Sequence, residues 1–209
     1  MENKAKNVVD FYVICNKLKN VIRTGWKDWH VNKERLESVA EHIYGTQMLA
    51  IAMYSEYEYD LDIKKVVYML SIHEMEEIII GDLTQFQISR EEKMKMGHEA
   101  IEKVLSLLAD KEYIKGIILE FDERKTPESK FAYYCDKLEC DIQCKLYDKD
   151  NGVDLTDARN RVNIHDESVF KMLDDGKSWS EMWMTMGQKR YNYDENFLEV
   201  SNYAMNNDI

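Results

Sequence analysis

The stretch from Val66 to Ile79 constrains the fold more than any other, because its apolar residues leave almost no helix face free for water. Val66, Val67, Met69, Leu70, Ile72, Met75, Ile78 and Ile79 cover most of a helix circumference, a pattern that belongs in the centre of an all-α domain. Within it, Ser71-Ile72-His73-Glu74-Met75-Glu76-Glu77-Ile78-Ile79-Ile80-Gly81-Asp82 carries a histidine and several carboxylates. On a helix, His73 and Glu77 stand one turn apart on one face, with Glu74 rotated by about 100° from His73. Charges buried this way need a partner or a metal, so the segment is a candidate site.

The rest of the chain reads as helix after helix, since a single proline and eight glycines leave few breaks in 209 residues. Helical periodicity predicts a first helix over about residues 5 to 21, on Val8, Val9, Phe11, Tyr12, Cys15, Leu18 and Val21. Ser38 and Glu41 have capping-box spacing and start a second helix running towards Tyr59. The third spans about Asp62 to Ile80, with Gly81 placed to stop it and Asp82 just beyond. Ser89 and Glu92 open a fourth, to about Leu108, and Lys111 to Arg124 reads as a shorter fifth. Thr126-Pro127-Glu128 is a strong start signal for a sixth, to about Tyr147. Residues Asp148 to Arg161 read as a loop, and His165 to Met205 is again helical, with a Ser178/Glu181 capping box and many Trp, Tyr and Met. Such an aromatic tail serves as core or as a subunit interface more often than as a ligand box. The expected organisation is a domain over residues 1–150 and a helical extension over 151–209 packed on it.

The segment Arg23-Thr24-Gly25-Trp26-Lys27-Asp28-Trp29-His30 follows neither period, as functional loops often do, although a simple connector has the same look. A formal net charge of -12 disfavours nucleic acid as the main partner and suits a small ligand held by local cations. No apolar segment is long enough to span a bilayer and no secretory leader is evident, so the expected location is the cytoplasm. Cys15, Cys135, Cys140 and Cys144 lack zinc-site spacing and are expected to be reduced thiols that pack.

His42 on the second helix, His73 and Glu74 on the third, and Asp136 on the sixth can meet in a bundle core. Two imidazoles and two carboxylates suit Mn, Fe, Co, Ni or Zn better than Mg or Ca, whose shells are all oxygen. His98 lies among Lys and Glu and is read as solvated surface, and His30 and His165 take the same bland reading.

The order His42, His73-Glu74, Glu77, Gly81-Asp82 and Asp136-Lys137-Leu138-Glu139 resembles the H…HD…D signature of HD-domain metal-dependent phosphohydrolases. Arg23-Thr24-Gly25-Trp26, Glu37-Ser38-Val39-Ala40-Glu41-His42 and the helix ending in Gly-Asp resemble the 5'-deoxynucleotidase-like branch of that superfamily, over about residues 8 to 147. The resemblance implies an HD-domain helical bundle holding one divalent transition metal through His42, His73, Glu74 and Asp136. It further implies hydrolysis of nucleoside 5'-monophosphates, with Glu77 acting on the attacking water and Asp82 at the sugar or leaving oxygen. Arg23 would grip the phosphate, Trp26 would pack on sugar or base, and the chain would form a homodimer. In this sequence Glu74 stands where the signature has aspartate. Two other readings stay open: a weak or inactive metal- or nucleotide-binding module, and an HD hydrolase for another nucleotide phosphate.

Overall fold

A computed structural model describes residues 3–84, 87–162 and 167–209. The chain runs through α1 (Lys4–Cys15), a 3-10 turn (Asn16–Asn20), α2 (Thr24–Asp28), α3 (Val39–Glu56), α4 (Ile63–Ile72) and α5 (Glu77–Ile80). It continues through α6 (Arg90–Leu105), α7 (Lys111–Glu123), α8 (Pro127–Lys149), α9 (Ala158–Val162), α10 (Glu167–Asp174), α11 (Trp179–Gly187), a 3-10 turn (Gln188–Arg190) and α12 (Glu195–Asn206). The all-α expectation holds, since the β pairing among the described residues is a single antiparallel bridge, Ile22 to Ser38. No described helix is long and apolar enough to cross a membrane.

The start signals act as their chemistry requires. Ser38 with Glu41, Ser89 with Glu92 and Ser178 with Glu181 all form reciprocal capping boxes, and Thr126 caps α8 ahead of Pro127. Each cap satisfies backbone N–H groups that the first turn leaves unpaired and is worth about 1 kcal/mol.

The axis of the molecule is α8, which α3 and α4 flank and on which α11 and α12 also pack. One core cluster joins Met53 of α3, Leu70 of α4, Phe131 and Leu138 of α8, and Phe197 of α12. A second joins Trp26, Tyr147, Trp179 and Met182, with Trp29 and Trp183 at its edge. The aromatic tail is therefore core: Trp179, Tyr191 and Phe197 are fully buried. Tyr191 donates its hydroxyl to Asp141 of α8 at 2.6 Å, tying the tail to the axis.

Four expectations need correction. The first helix ends at Cys15, and Val8, Val9 and Tyr12 face outward, while Phe11, Ile14 and Cys15 pack inward against the cluster around Ile101 and Ile118. The third helix breaks after Ile72: His73 Nδ1 donates to the Leu70 carbonyl at 2.8 Å, the acceptor that the Glu74 N–H would use in a continued helix. The chain then tightens to Met75–Ile72, Glu77–Glu74 and Ile78–Met75 bonds before α5 begins. The irregular segment after Val21 contains the short helix α2, and the loop after Asp148 contains α9. The tail is helical as expected, in three helices with turns between them, and its expected start at His165 lies outside the described residues.

Candidate metal centre

The helix break turns His73 and Glu74 towards α3 and α8. His42 is fully buried on α3, Asp136 is buried on α8, and the two imidazole rings lie 5.5 Å apart by centroid. One ligand atom from each of His42, His73, Glu74 and Asp136 falls within 4.8 Å of all the others. Opposite ligands of an ion bound at about 2.0–2.2 Å stand about 4–4.4 Å apart, so a small closure brings the four into bonding range.

The hydrogen bonding leaves lone pairs for such an ion. His42 donates Nδ1–H to Glu139 Oε2 at 2.5 Å, which leaves its Nε2 facing Asp136 Oδ1 at 3.2 Å, and His73 is held by Leu70 in the same tautomer. His42 Nε2, His73 Nε2 and Asp136 Oδ1 are all buried without a hydrogen-bond partner. Three orphaned atoms converging with a carboxylate make a donor set that fits a divalent transition metal. Glu74 belongs to it despite its extra methylene: its Oε1 lies 3.7 Å from His73 Nε2 and 3.5 Å from Arg23 Nη1. Burial pushes the Glu74 carboxyl up, but His73, Arg23 and Lys93 outweigh that and hold it below the usual range.

Glu77 sits beside this group, 1% exposed, with Lys93 Nζ on its Oε1 at 3.2 Å and its Oε2 unpartnered. Burial, then Glu74 and Asp82, push its carboxyl well up, the direction in which a group takes a proton readily. Lys93 also donates to the Leu83 carbonyl at 3.0 Å, spanning the turn after α5.

Arg23 reaches the centre from the loop that the Ile22–Ser38 bridge closes, with Nη2 on Cys140 Sγ at 2.9 Å. Asp82, expected at sugar or leaving oxygen, accepts the Thr24 N–H on Oδ2 at 2.6 Å, while Thr24 Oγ1 donates to the Asp82 carbonyl at 2.6 Å. These bonds fix the residue next to Arg23. Trp26 is not brought to the centre: it is 2% exposed, its indole N–H donates to Glu37 Oε2 at 2.8 Å, and its ring packs edge-on to Tyr147 and Trp179. Its place is under the Arg23 loop as a core aromatic.

A cleft of about 370 Å³ opens on the centre, lined by His73, Glu74 and Asp136 and by residues to which the sequence reading gave no role, among them Lys93, Arg124, Lys137 and Arg190. His98, read as surface, also lines it and pairs with Asp122 at 3.1 Å. His30 pairs with Asn160 at 2.9 Å, away from the cleft, and His165 lies outside the described residues. The role of Glu139 was legible in principle, since it stands three residues after Asp136 on one face of α8.

Glu139 passes close over Gly45 on its way to His42. A Cβ there would lie 2.5 Å from Glu139 Oε1 and 3.1 Å from its Cγ and Cδ. Gly45→Ala therefore displaces Glu139 and loosens His42. The expected result is a metal dissociation constant raised about 10- to 100-fold, the usual cost of losing the partner that orients a ligand. Titration of metal-stripped protein measures it, and unchanged affinity would show that Glu139 does not orient His42.

Comparison with known proteins gives the family and the fold. The family model described as HD domain matches residues 15–184. The 5'-deoxynucleotidase hdd1 of Schizosaccharomyces pombe is 31% identical over 153 residues, covering 70% of this chain and 75% of that protein. The 5'-deoxynucleotidase HDDC2 of Dictyostelium discoideum is 30% identical over 151 residues, covering 68% of this chain and 78% of its own. Among solved structures, the PH0347 protein of Pyrococcus horikoshii OT3 superposes with a TM-score of 0.66 at 20% identity, over 94% of this chain and 98% of its own, a likeness of fold.

Proposed function

The chain belongs to the HD-domain family, and from that premise we propose that it is a metal-dependent 5'-nucleotidase that hydrolyses (deoxy)nucleoside 5'-monophosphates to nucleoside and phosphate. The observation that carries this reading is the convergence of four ligand atoms within 4.8 Å, three of them buried and orphaned, beside a buried glutamate with one free oxygen. His42, His73, Glu74 and Asp136 would hold one divalent metal. Bound there, the ion supplies Lewis acidity, polarising a phosphate oxygen and acidifying a water.

The side chains supply the rest. Glu77 Oε2 orients the attacking water and takes its proton, while Lys93 keeps Oε1 in place. Arg23 presents its guanidinium beside Glu74, where it meets the negative charge of a phosphate. Asp82 contributes by holding Thr24 and so the Arg23 segment. Trp26 supports that segment from below through Glu37, whose carbonyl accepts the Arg23 N–H at 3.0 Å. The proton passed to Glu77 is the one the departing nucleoside oxygen needs.

The same reading includes a cytoplasmic location and a homodimer. What supports the dimer is an exposed apolar stripe on α3, with Tyr44, Met48 and Ile51 uncovered.

The experiment is phosphate release from ribo- and deoxynucleoside 5'-monophosphates by metal-stripped protein with Mn, Co, Zn or Mg restored singly. Metal-dependent release is expected; silence with every metal, alongside measurable nucleotide binding, would move the assignment to a binding module. Glu74→Asp tests the residue that departs from the signature. Glu74 already lies among the ligand atoms and pairs with Arg23, so shortening it by one methylene draws it away from both. The expected outcome is metal affinity lowered by about tenfold, a step of about 1.4 kcal/mol. A rise in affinity or turnover would mean that the glutamate is a mistuned ligand.

A further inference from the structure

The cleft gathers cations in an acidic protein. Lys93, Arg124, Lys137 and Arg190 line it, in a chain whose formal net charge is -12. Against them stand Glu74 and Asp136, which belong to the metal centre, Asp122, which is paired with His98, and Glu76. Arg23 and Lys93 already flank the metal ligands and Glu77. Arg124, Lys137 and Arg190 are additional to them.

Three features set Arg124 apart from a passing surface cation. It caps α7 with φ 53, a left-handed conformation usually left to glycine or asparagine. Its guanidinium carbon lies 3.9 Å from the Tyr133 ring centroid, and Lys137 Nζ lies 5.3 Å from the same centroid. Its Nε is buried with no hydrogen-bond partner. Lys137 Nζ in turn contacts Asp136 Oδ2 at 2.7 Å, so this platform adjoins the metal centre. A guanidinium held over an aromatic ring beside a second cation, both lining the cleft, offers positive charge to an anion there.

We propose that Arg124, Lys137 and Arg190 form an anion subsite for a second phosphate, so that the substrates include nucleotides carrying two phosphate groups, one at the metal centre and one on this platform. The inference rests on the phosphohydrolase reading above. The reaction is unchanged: water oxygen bonds to the phosphorus at the centre, the bond from that phosphorus to its leaving oxygen breaks, and the leaving oxygen takes the proton. Two arrangements share this chemistry, a 5'-diphosphate and a bisphosphate on two sugar hydroxyls.

The test measures kcat/KM for a nucleoside 5'-monophosphate, the 5'-diphosphate and the 3',5'-bisphosphate of the same base, with Mn, for wild type and Arg124→Gln. In the wild type at least one two-phosphate nucleotide is expected to exceed the monophosphate, and in Arg124→Gln that preference falls about tenfold, as for one charge-assisted hydrogen bond. The preferred arm identifies where the second phosphate sits. Preference for the monophosphate, or an equal ratio in both proteins, overturns the inference. Arg190→Gln, on an exposed side chain, gives the same readout if Arg124→Gln fails to fold. Calorimetric binding of the same nucleotides runs in parallel: absence of hydrolysis sinks the phosphohydrolase reading, whereas loss of the binding preference sinks the subsite.

Discussion

Phosphate release by the Glu77→Gln protein falls about a hundred- to ten-thousand-fold, the usual worth of general acid–base catalysis, while its metal content stays at the wild-type level. The substitution keeps the volume of a residue that is 1% exposed and the oxygen on which Lys93 donates. What it removes is the capacity to accept a proton at the unpartnered position. Burial and the neighbouring carboxylates push Glu77 well above the ordinary carboxylate range, and a dication nearby pulls it back towards ionisation. Phosphate assay and elemental analysis of one preparation decide the matter. Loss of metal would make Glu77 a ligand, and retained turnover would place the base elsewhere.

His73→Ala loses both metal and turnover. Its Nε2 is one of the orphaned atoms of the centre, and the Leu70 carbonyl fixes the tautomer that leaves it free. Removing a ligand costs more affinity than the roughly 10- to 100-fold seen when only a ligand's partner is removed. A thermodynamic signature accompanies it: metal at about 100 times its dissociation constant stabilises the folded chain by about 2.7 kcal/mol. The wild type is therefore expected to melt higher with metal than without, and the variant to show no such difference. A metal-dependent melting shift preserved in His73→Ala would remove His73 from the ligand set.

The all-α class, the capped helix starts and the ligand atoms that converge were legible because each rests on local chemistry. A serine three residues before a glutamate announces a cap, and His73-Glu74 inside an apolar stretch announces a buried polar group. The break after Ile72 was not legible, because periodicity assumes a continuous helix and cannot see a histidine competing for the Leu70 carbonyl. Nor was the placement of Trp26. A tryptophan in a loop reads alike beside a substrate or beneath it, and only the approach of Tyr147, Trp179 and Trp183 separates the two. Arg124 and Arg190 come from distant segments, so their meeting in one cleft leaves no trace in spacing.

All four tryptophans of the chain, Trp26, Trp29, Trp179 and Trp183, occupy a single aromatic cluster where the Arg23 loop meets the tail. Intrinsic fluorescence of this protein is thus a local gauge. Its emission reports one junction, about which the Arg23 loop would have to shift, and is silent on helices far from it. An optical signal that changes on nucleotide addition would therefore be movement of that loop against the tail, read without any label.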